Sequence, residues 1–145
     1  MGISNHMRVE FDALSVNEGF ARMTVAAFLA GQNPTLDELA DVKTAVSEAV
    51  TNAIIHGYEE VTGKVELECK IEDYIVELKV KDRGKGIADI AKARTPFFTT
   101  KPELERSGMG FAFMEAFMDE VQVESEPGKG TSVTMKKLLG RKDDC

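Results

Sequence analysis

Two segments in the middle of the chain alternate apolar and polar residues: KVELECKI (64–71) and YIVELKVKD (74–82). Alternation with a period of two is typical of a strand that buries one face. Glu72 and Asp73 separate the segments, so the pattern predicts a β-hairpin. A sheet with one apolar face needs a second layer to cover it, and this requirement constrains the rest of the chain.

The same alternation predicts further strands nearer the two ends of the chain. One lies at 8–14 (RVEFDAL), and two more lie at 121–126 (VQVESE) and 131–137 (TSVTMKK). The sequence PGKG (127–130) lies between the last two, which predicts a second hairpin. The chain therefore supplies five strands, four of them in two hairpins.

Helices are predicted between these strands by capping boxes and by helical spacing. A first capping box, SVNE (15–18), starts a helix that stops at Gly31, and a second, TLDE (35–38), starts a long helix that ends at Gly57. A third helix is predicted at 110–120, where Phe and Met recur at helical spacing as core residues. The order predicts an α+β fold: a two-layer sandwich with helices on one face of a mixed, mostly antiparallel sheet.

Composition limits the classes of function. The 145 residues are 43% hydrophobic, which suits a single domain spanning 1–145, with loose termini at 1–7 and 138–145. The net charge of −7 argues against nonspecific nucleic-acid binding. We see no membrane span and no signal peptide. The two cysteines, Cys69 in a strand and Cys145 in the tail, indicate a reducing cytoplasm.

The long helix carries a line of polar residues in SEAVTNAIIHGY (47–58): Glu48, Asn52 and His56. At about 100° per residue they form a stripe along the edge of the apolar face. Such a stripe is either a solvated flank with a Glu–Asn hydrogen bond, or the wall of a cleft. The spacing alone leaves both interpretations open.

Two glycine clusters follow. In DRGKGI (82–87), Asp82 ends a strand, where its carboxylate can accept a hydrogen bond from an exocyclic amine; an exposed turn is the alternative. In SGMGF (107–111), bare backbone N–H groups precede a helix and could bind an anion, with Ser107 as N-cap or phosphate contact. Neither cluster is a P-loop or a dinucleotide fingerprint.

Taken in order, these motifs resemble the four nucleotide boxes of the GHKL (Bergerat-fold) ATPases and kinases. The matching residues are Glu48 and Asn52, then Asp82-x-Gly84-x-Gly86, then Gly108-x-Gly110, then Gly130-Thr131. Three longer segments resemble the sporulation anti-sigma-F factors (stage II AB proteins), a family of small serine kinases that hold a sigma factor inactive. They are 47–58, 96–111 and 117–131.

The resemblance implies a role for each matching position. Asn52 would bind Mg²⁺, Glu48 would be the general base, and Asp82 would accept the adenine amino group of ATP or ADP. An ATP lid is implied at 95–107, with Arg106 stabilising charge at the γ-phosphate; we interpret His56 as structural. The remaining nucleotide contacts would be Gly84, Gly86, Ile87, Thr99, Thr100, Lys101, Ser107, Gly108, Met109, Gly110, Phe111 and Thr131.

The resemblance also implies partners: a sigma factor, an anti-anti-sigma (STAS-type) protein that supplies the phosphorylated serine, and a second copy in a homodimer. Arg22 on the first helix is our candidate partner contact; a solvated helix face is the alternative. Two other functions stay open, a general-stress anti-sigma serine kinase and a GHKL ATPase without protein-kinase activity.

Overall fold

The computed structural model describes residues 3–57, 63–84, 86–87 and 110–140. The elements follow the predicted order of strands and helices. They are β1 (Ile3–Asp12), α1 (Asn17–Leu29), a 3-10 turn (Ala30–Gln32), α2 (Leu36–Asn52), a π-helical turn (Ala53–Gly57), β2 (Lys64–Asp73), β3 (Ile75–Asp82), α3 (Gly110–Phe117), β4 (Glu120–Glu126) and β5 (Gly130–Leu138).

The five strands form one sheet in the order β1-β2-β3-β5-β4. All four pairings among the described strands are antiparallel, so this part of the sheet is antiparallel throughout and not mixed. Both predicted hairpins are present, β2 with β3 and β4 with β5. The pairing of β3 with β5 joins the hairpins and brings Asp82 opposite Thr131.

One face of the sheet and one face of each helix make a shared core, which confirms the two-layer α+β fold. The strands contribute alternate residues, among them Leu67, Cys69, Leu78 and Met135, all fully buried. Helix α2 is central, since it packs against α1, α3 and β3. No helix in the described ranges is long and apolar enough to span a membrane.

The cysteine in β2 is buried, as the alternation predicts. Cys69 has no solvent exposure, and burial raises the pKa of its thiol to about 12.

The predicted core role of the third helix holds in part: Met114 and Met118 are buried. Phe113 and Phe117 are half-buried and stack on each other with ring centroids 6.0 Å apart.

Only one of the two predicted capping boxes forms. Thr35 and Glu38 bond each other's backbone N–H groups at the start of α2. The first box is wrong, because α1 begins after Val16, and the Glu18 side chain pairs with Arg22 instead of reaching back to Ser15. The first helix ends close to the predicted place, at Leu29, but Gly31 does not stop it: a 3-10 turn continues to Gln32, and Asn33 adopts the left-handed conformation with φ of 51°.

The predicted loose termini are wrong over the residues that the structure describes. The strand β1 starts at Ile3, and its His6 Nε2 lies 2.6 Å from Glu68 Oε2 on β2. At the other end, the backbone N–H of Leu139 donates to Tyr74 and that of Gly140 donates to the Glu38 carboxylate. Contacts with the sheet and with α2 therefore hold the described residues nearest to each terminus.

We expect Thr35→Ala to lower the free energy of unfolding by about 1 kcal/mol and the midpoint of thermal unfolding by about 2–4 °C, because α2 loses its cap. Calorimetry measures both quantities. Ser15→Ala is the matched control, since its box does not form, and it should leave the midpoint unchanged. An equal loss in both variants would contradict this account of the helix starts.

Candidate functional site

The carboxylate of Asp82 is the one buried charged group among the described residues, at 5% exposure. Its Oδ1 accepts a hydrogen bond from the Gly84 backbone N–H at 2.9 Å, and the carboxylate also accepts from the Thr131 backbone N–H. Burial raises the pKa of Asp82, and these two hydrogen bonds oppose that rise. The carboxylate is therefore fixed in position and pays a desolvation cost. Buried carboxylates with a shifted pKa are common at functional sites.

Two glycines let the backbone close tightly around this carboxylate. Gly130 has a φ of +112°, and a Cβ there would collide with the carbonyl oxygen of Asp82. Gly86 has a φ of +79°, and a Cβ there would collide with the carbonyl oxygen of Glu126 in the β4–β5 turn. The segment after β3 consequently lies directly against the second hairpin.

Ser125, which lies outside the sequence motifs, joins these parts. The Oγ of Ser125 accepts from the Ile87 backbone N–H at 2.7 Å, lies 2.8 Å from Thr131 Oγ1 and donates to the Gly130 carbonyl at 3.0 Å. One signal was available in the sequence. Ser125 takes the inward position of β4 that Val121 and Val123 occupy earlier in the strand, and a hydroxyl there needs a partner.

The polar residues Glu48 and Asn52 lie one turn apart at the end of α2, and both are half-buried. They border buried Ala49 and Val50 on the helix that packs against β3. The π-helical turn begins directly after Asn52 and contacts β3 and β5. His56 lies in this turn, so the angle of 100° per residue that placed it on the stripe does not apply to it.

A side chain on α1 approaches the same part of α2. The Nη1 atom of Arg22 donates to Glu18 Oε2 at 2.8 Å and to Ser47 Oγ at 3.4 Å. The Arg22 side chain is 39% exposed, and Phe20 and Met23 are further exposed side chains on α1. Arg22 thus lies at the surface, and the residue that it contacts on α2, Ser47, directly precedes Glu48.

The structure therefore brings together part of the predicted site: Asp82, Gly84, Gly86, Ile87 and Thr131. Gly110 is the first residue of α3, and Phe111 is buried in the core. The predicted lid (95–107) lies outside the described residues, as do Thr99, Thr100, Lys101, Arg106, Ser107, Gly108 and Met109.

The donors present fit a metal ion that is coordinated mainly by water and by the phosphate oxygens of a bound molecule. The described residues contain no group of three His, Cys, Asp or Glu side chains that could hold a metal ion on its own. Mg²⁺ usually keeps several waters and takes one or two protein oxygens besides those of phosphates. The amide oxygen of Asn52 suits that coordination.

Comparison with known proteins agrees with this geometry. The family described as histidine kinase-like ATPase domains matches residues 11–137. The nucleotide-free catalytic domain of the histidine kinase ThkA shares the fold, with a TM-score of 0.57 at 17% identity over 92% of this chain and 96% of that one. A structure of the RsbU and RsbW domains of a Mycobacterium tuberculosis protein has a TM-score of 0.70 at 24% identity, and this chain spans 95% of its own length and 33% of that protein.

Closer relatives are known from sequence. The anti-sigma F factor of Bacillus velezensis is 57% identical over 140 residues, which cover 96% of each chain. The anti-sigma F factor of Geobacillus stearothermophilus is 63% identical over 139 residues, which cover 95% of each chain. The chain therefore belongs to the histidine kinase-like ATPase domain family and, within it, to the anti-sigma F factors.

We expect Asp82→Asn to fold at least as stably as the wild type at neutral pH, because the substitution removes the cost of burying a charge. The folded-state pKa of Asp82 is raised, so the carboxylate destabilises the fold above that pKa, and the cost disappears as the pH falls below it. The difference in free energy of unfolding between the variant and the wild type should shrink as the pH falls.

Chemical denaturation at several pH values measures this difference. Glu124→Gln, which removes an exposed carboxylate from β4, is the control and should show no such dependence. An Asp82→Asn variant clearly less stable than the wild type at neutral pH would contradict the assignment of a net burial cost.

Proposed function

We propose that this protein is an anti-sigma factor and a protein serine kinase. It binds and inhibits a sporulation sigma factor of RNA polymerase, and it uses Mg-ATP to phosphorylate a serine of an anti-anti-sigma (STAS-type) protein. The observation that carries the proposal is the buried carboxylate of Asp82, hydrogen-bonded opposite Thr131, in a chain 57% identical to an anti-sigma F factor.

Adenine binding is proposed at the end of β3. Asp82 accepts a hydrogen bond from the purine amino group, while Gly84, Gly86 and Ile87 form the floor beneath the base. Thr131 supports the same edge of the base from β5. The desolvated carboxylate suits this role, because a 6-oxo group would offer it an acceptor in place of the amino donor.

Phosphoryl transfer is proposed at the end of α2. The carboxylate of Glu48 takes the proton of the attacking serine hydroxyl, and the amide oxygen of Asn52 holds Mg²⁺ on the same flank of the helix. The metal, when bound, neutralises phosphate charge. In the lid, Arg106 would stabilise negative charge on the γ-phosphate, with Thr99, Thr100, Lys101 and the Gly108–Gly110 backbone as further phosphate contacts.

Partner binding is proposed at the outer face of α1. The Arg22 guanidinium is held by Glu18 beside α2, and the same helix exposes the apolar side chains of Phe20 and Met23. A partly exposed arginine whose guanidinium is held in one orientation is typical of an interface anchor. Arg22 contacts Ser47, the residue before Glu48 on α2, so a protein bound at Arg22 would lie close to the catalytic base.

The partner classes come from the family. The relatives are named as anti-sigma F factors, which supports a sigma factor as one partner and the cytoplasm as the location. An anti-anti-sigma protein as the phosphate acceptor and a homodimer complete the proposal. Sedimentation of the purified chain measures the homodimer directly.

The function is tested by transfer of labelled phosphate from Mg-ATP to a serine of an anti-anti-sigma protein. Glu48→Gln should keep ATP affinity and sigma binding but lose transfer by about 10²–10⁴-fold, because only the general base is gone. Asn52→Ala should instead weaken the binding of Mg-ATP, as measured by calorimetry. The two variants thus separate chemistry from binding.

Free phosphate with an unlabelled partner protein would favour an ATPase without kinase activity. Transfer at the wild-type rate in Glu48→Gln would remove Glu48 from the role of base. Unchanged Mg-ATP affinity in Asn52→Ala would remove Asn52 from metal binding.

We expect Arg22→Ala to weaken sigma-factor binding by about tenfold or more, as for an arginine anchor in an interface, and to leave ATP affinity unchanged. Equilibrium titration of labelled sigma factor measures the first quantity. Arg8→Ala is the matched control, since Arg8 is an exposed arginine on β1 paired with Glu66. Equal weakening in both variants would indicate a general charge effect and contradict a specific contact.

A further inference from the structure

The hydroxyl groups of Ser125 and Thr131 share a small hydrogen-bond network with two backbone groups. Ser125 Oγ accepts from the Ile87 N–H at 2.7 Å, and it lies 3.0 Å from the Gly130 carbonyl oxygen and 2.8 Å from Thr131 Oγ1. A carbonyl oxygen can only accept, and a hydroxyl has one proton to donate. All three contacts are satisfied only if Ser125 donates to Gly130 and Thr131 donates to Ser125.

This arrangement fixes what Thr131 can offer to a ligand. Its hydroxyl proton points to Ser125, so its remaining hydrogen-bonding capacity is that of an acceptor. Thr131 is the direct neighbour of Asp82 across the β3–β5 pair, and both side chains lie on the helix-facing side of the sheet. The two residues together present only acceptors at the site.

We propose that Ser125 is a positioning residue that makes this site selective for purines with a 6-amino group. By holding the Thr131 proton, Ser125 keeps the Asp82–Thr131 pair complementary to an amino group and repulsive to a 6-oxo group. This inference rests on the proposed function, since it takes Asp82 as the group that meets the purine. Ser125 acts through Thr131 and makes no contact of its own with the nucleotide.

Loss of Ser125 would release the proton. In Ser125→Ala, the Thr131 hydroxyl can rotate and donate toward the site. It would then bind a 6-oxo group, and it would still tolerate an amino group. The same substitution removes the acceptor of the Ile87 N–H, which loosens the segment after β3 and lowers affinity for every nucleotide. A change in the ratio of two affinities separates the first effect from the second.

The test compares the equilibrium affinities of ATP and ITP, two nucleotides whose bases differ at position 6 and in the protonation of N1. We expect the wild type to prefer ATP and Ser125→Ala to reduce the ATP:ITP affinity ratio by about fivefold or more, as for one neutral hydrogen bond gained or lost. Ser125→Thr keeps the hydroxyl and should restore the ratio. Melting temperatures are measured alongside.

Ser132→Ala is the matched control on the neighbouring strand. Ser132 Oγ is buried without a hydrogen-bond partner in the described structure, and Ser132 adjoins Thr131 on β5. This variant should leave the ratio unchanged.

An unchanged ratio in Ser125→Ala overturns the inference, and so does an equal loss of affinity for both nucleotides with a lowered melting temperature, which would make Ser125 a structural link only. A wild-type protein that binds neither nucleotide would instead overturn the proposed function.

Discussion

The antiparallel pairing of β3 with β5 is the contact on which the rest of the molecule depends. It joins two local hairpins into one sheet and completes the apolar face that α2 covers. It also places the last residue of β3, Asp82, opposite Thr131 near the start of β5. The core and the candidate nucleotide site are thus produced by the same ladder, because one end of that ladder is apolar and the other ends in a carboxylate and a hydroxyl.

Much of the fold could be predicted because its signals are local. Alternation located both hairpins, and the Thr35–Glu38 capping box located the start of α2. The errors arose where a distant contact wins over a local preference. Glu18 pairs with Arg22 and not with the Ser15 backbone, and Ile3–Asp12 pairs along its whole length with β2, which orders a segment that looked loose. Local patterns carry no information about such partners.

The residues of the candidate site likewise fall into those that local sequence patterns could predict and those that depend on distant contacts. Asp82, Gly84 and Gly86 could be predicted because their spacing forms a motif, and the structure gives Asp82 and Gly86 a physical reason for their identity. For Ser125, alternation shows only that its hydroxyl faces inward; its role could not be predicted, because only the register of β4 with β5 places it opposite Thr131. The π-helical turn after Asn52 is a similar case, since helical spacing in the sequence continues through it without a break.

The buried thiol of Cys69 has a consequence for measuring how this protein opens. With a pKa of about 12 and no exposure, the thiol is almost wholly protonated and out of reach of alkylating reagents at neutral pH. Modification therefore requires β2 to separate from the helices above it, so the rate of alkylation at Cys69 reports the opening of the sheet. The native chain carries its own probe at the centre of the core, and ligands that stabilise the closed form can be ranked by how far they slow that reaction.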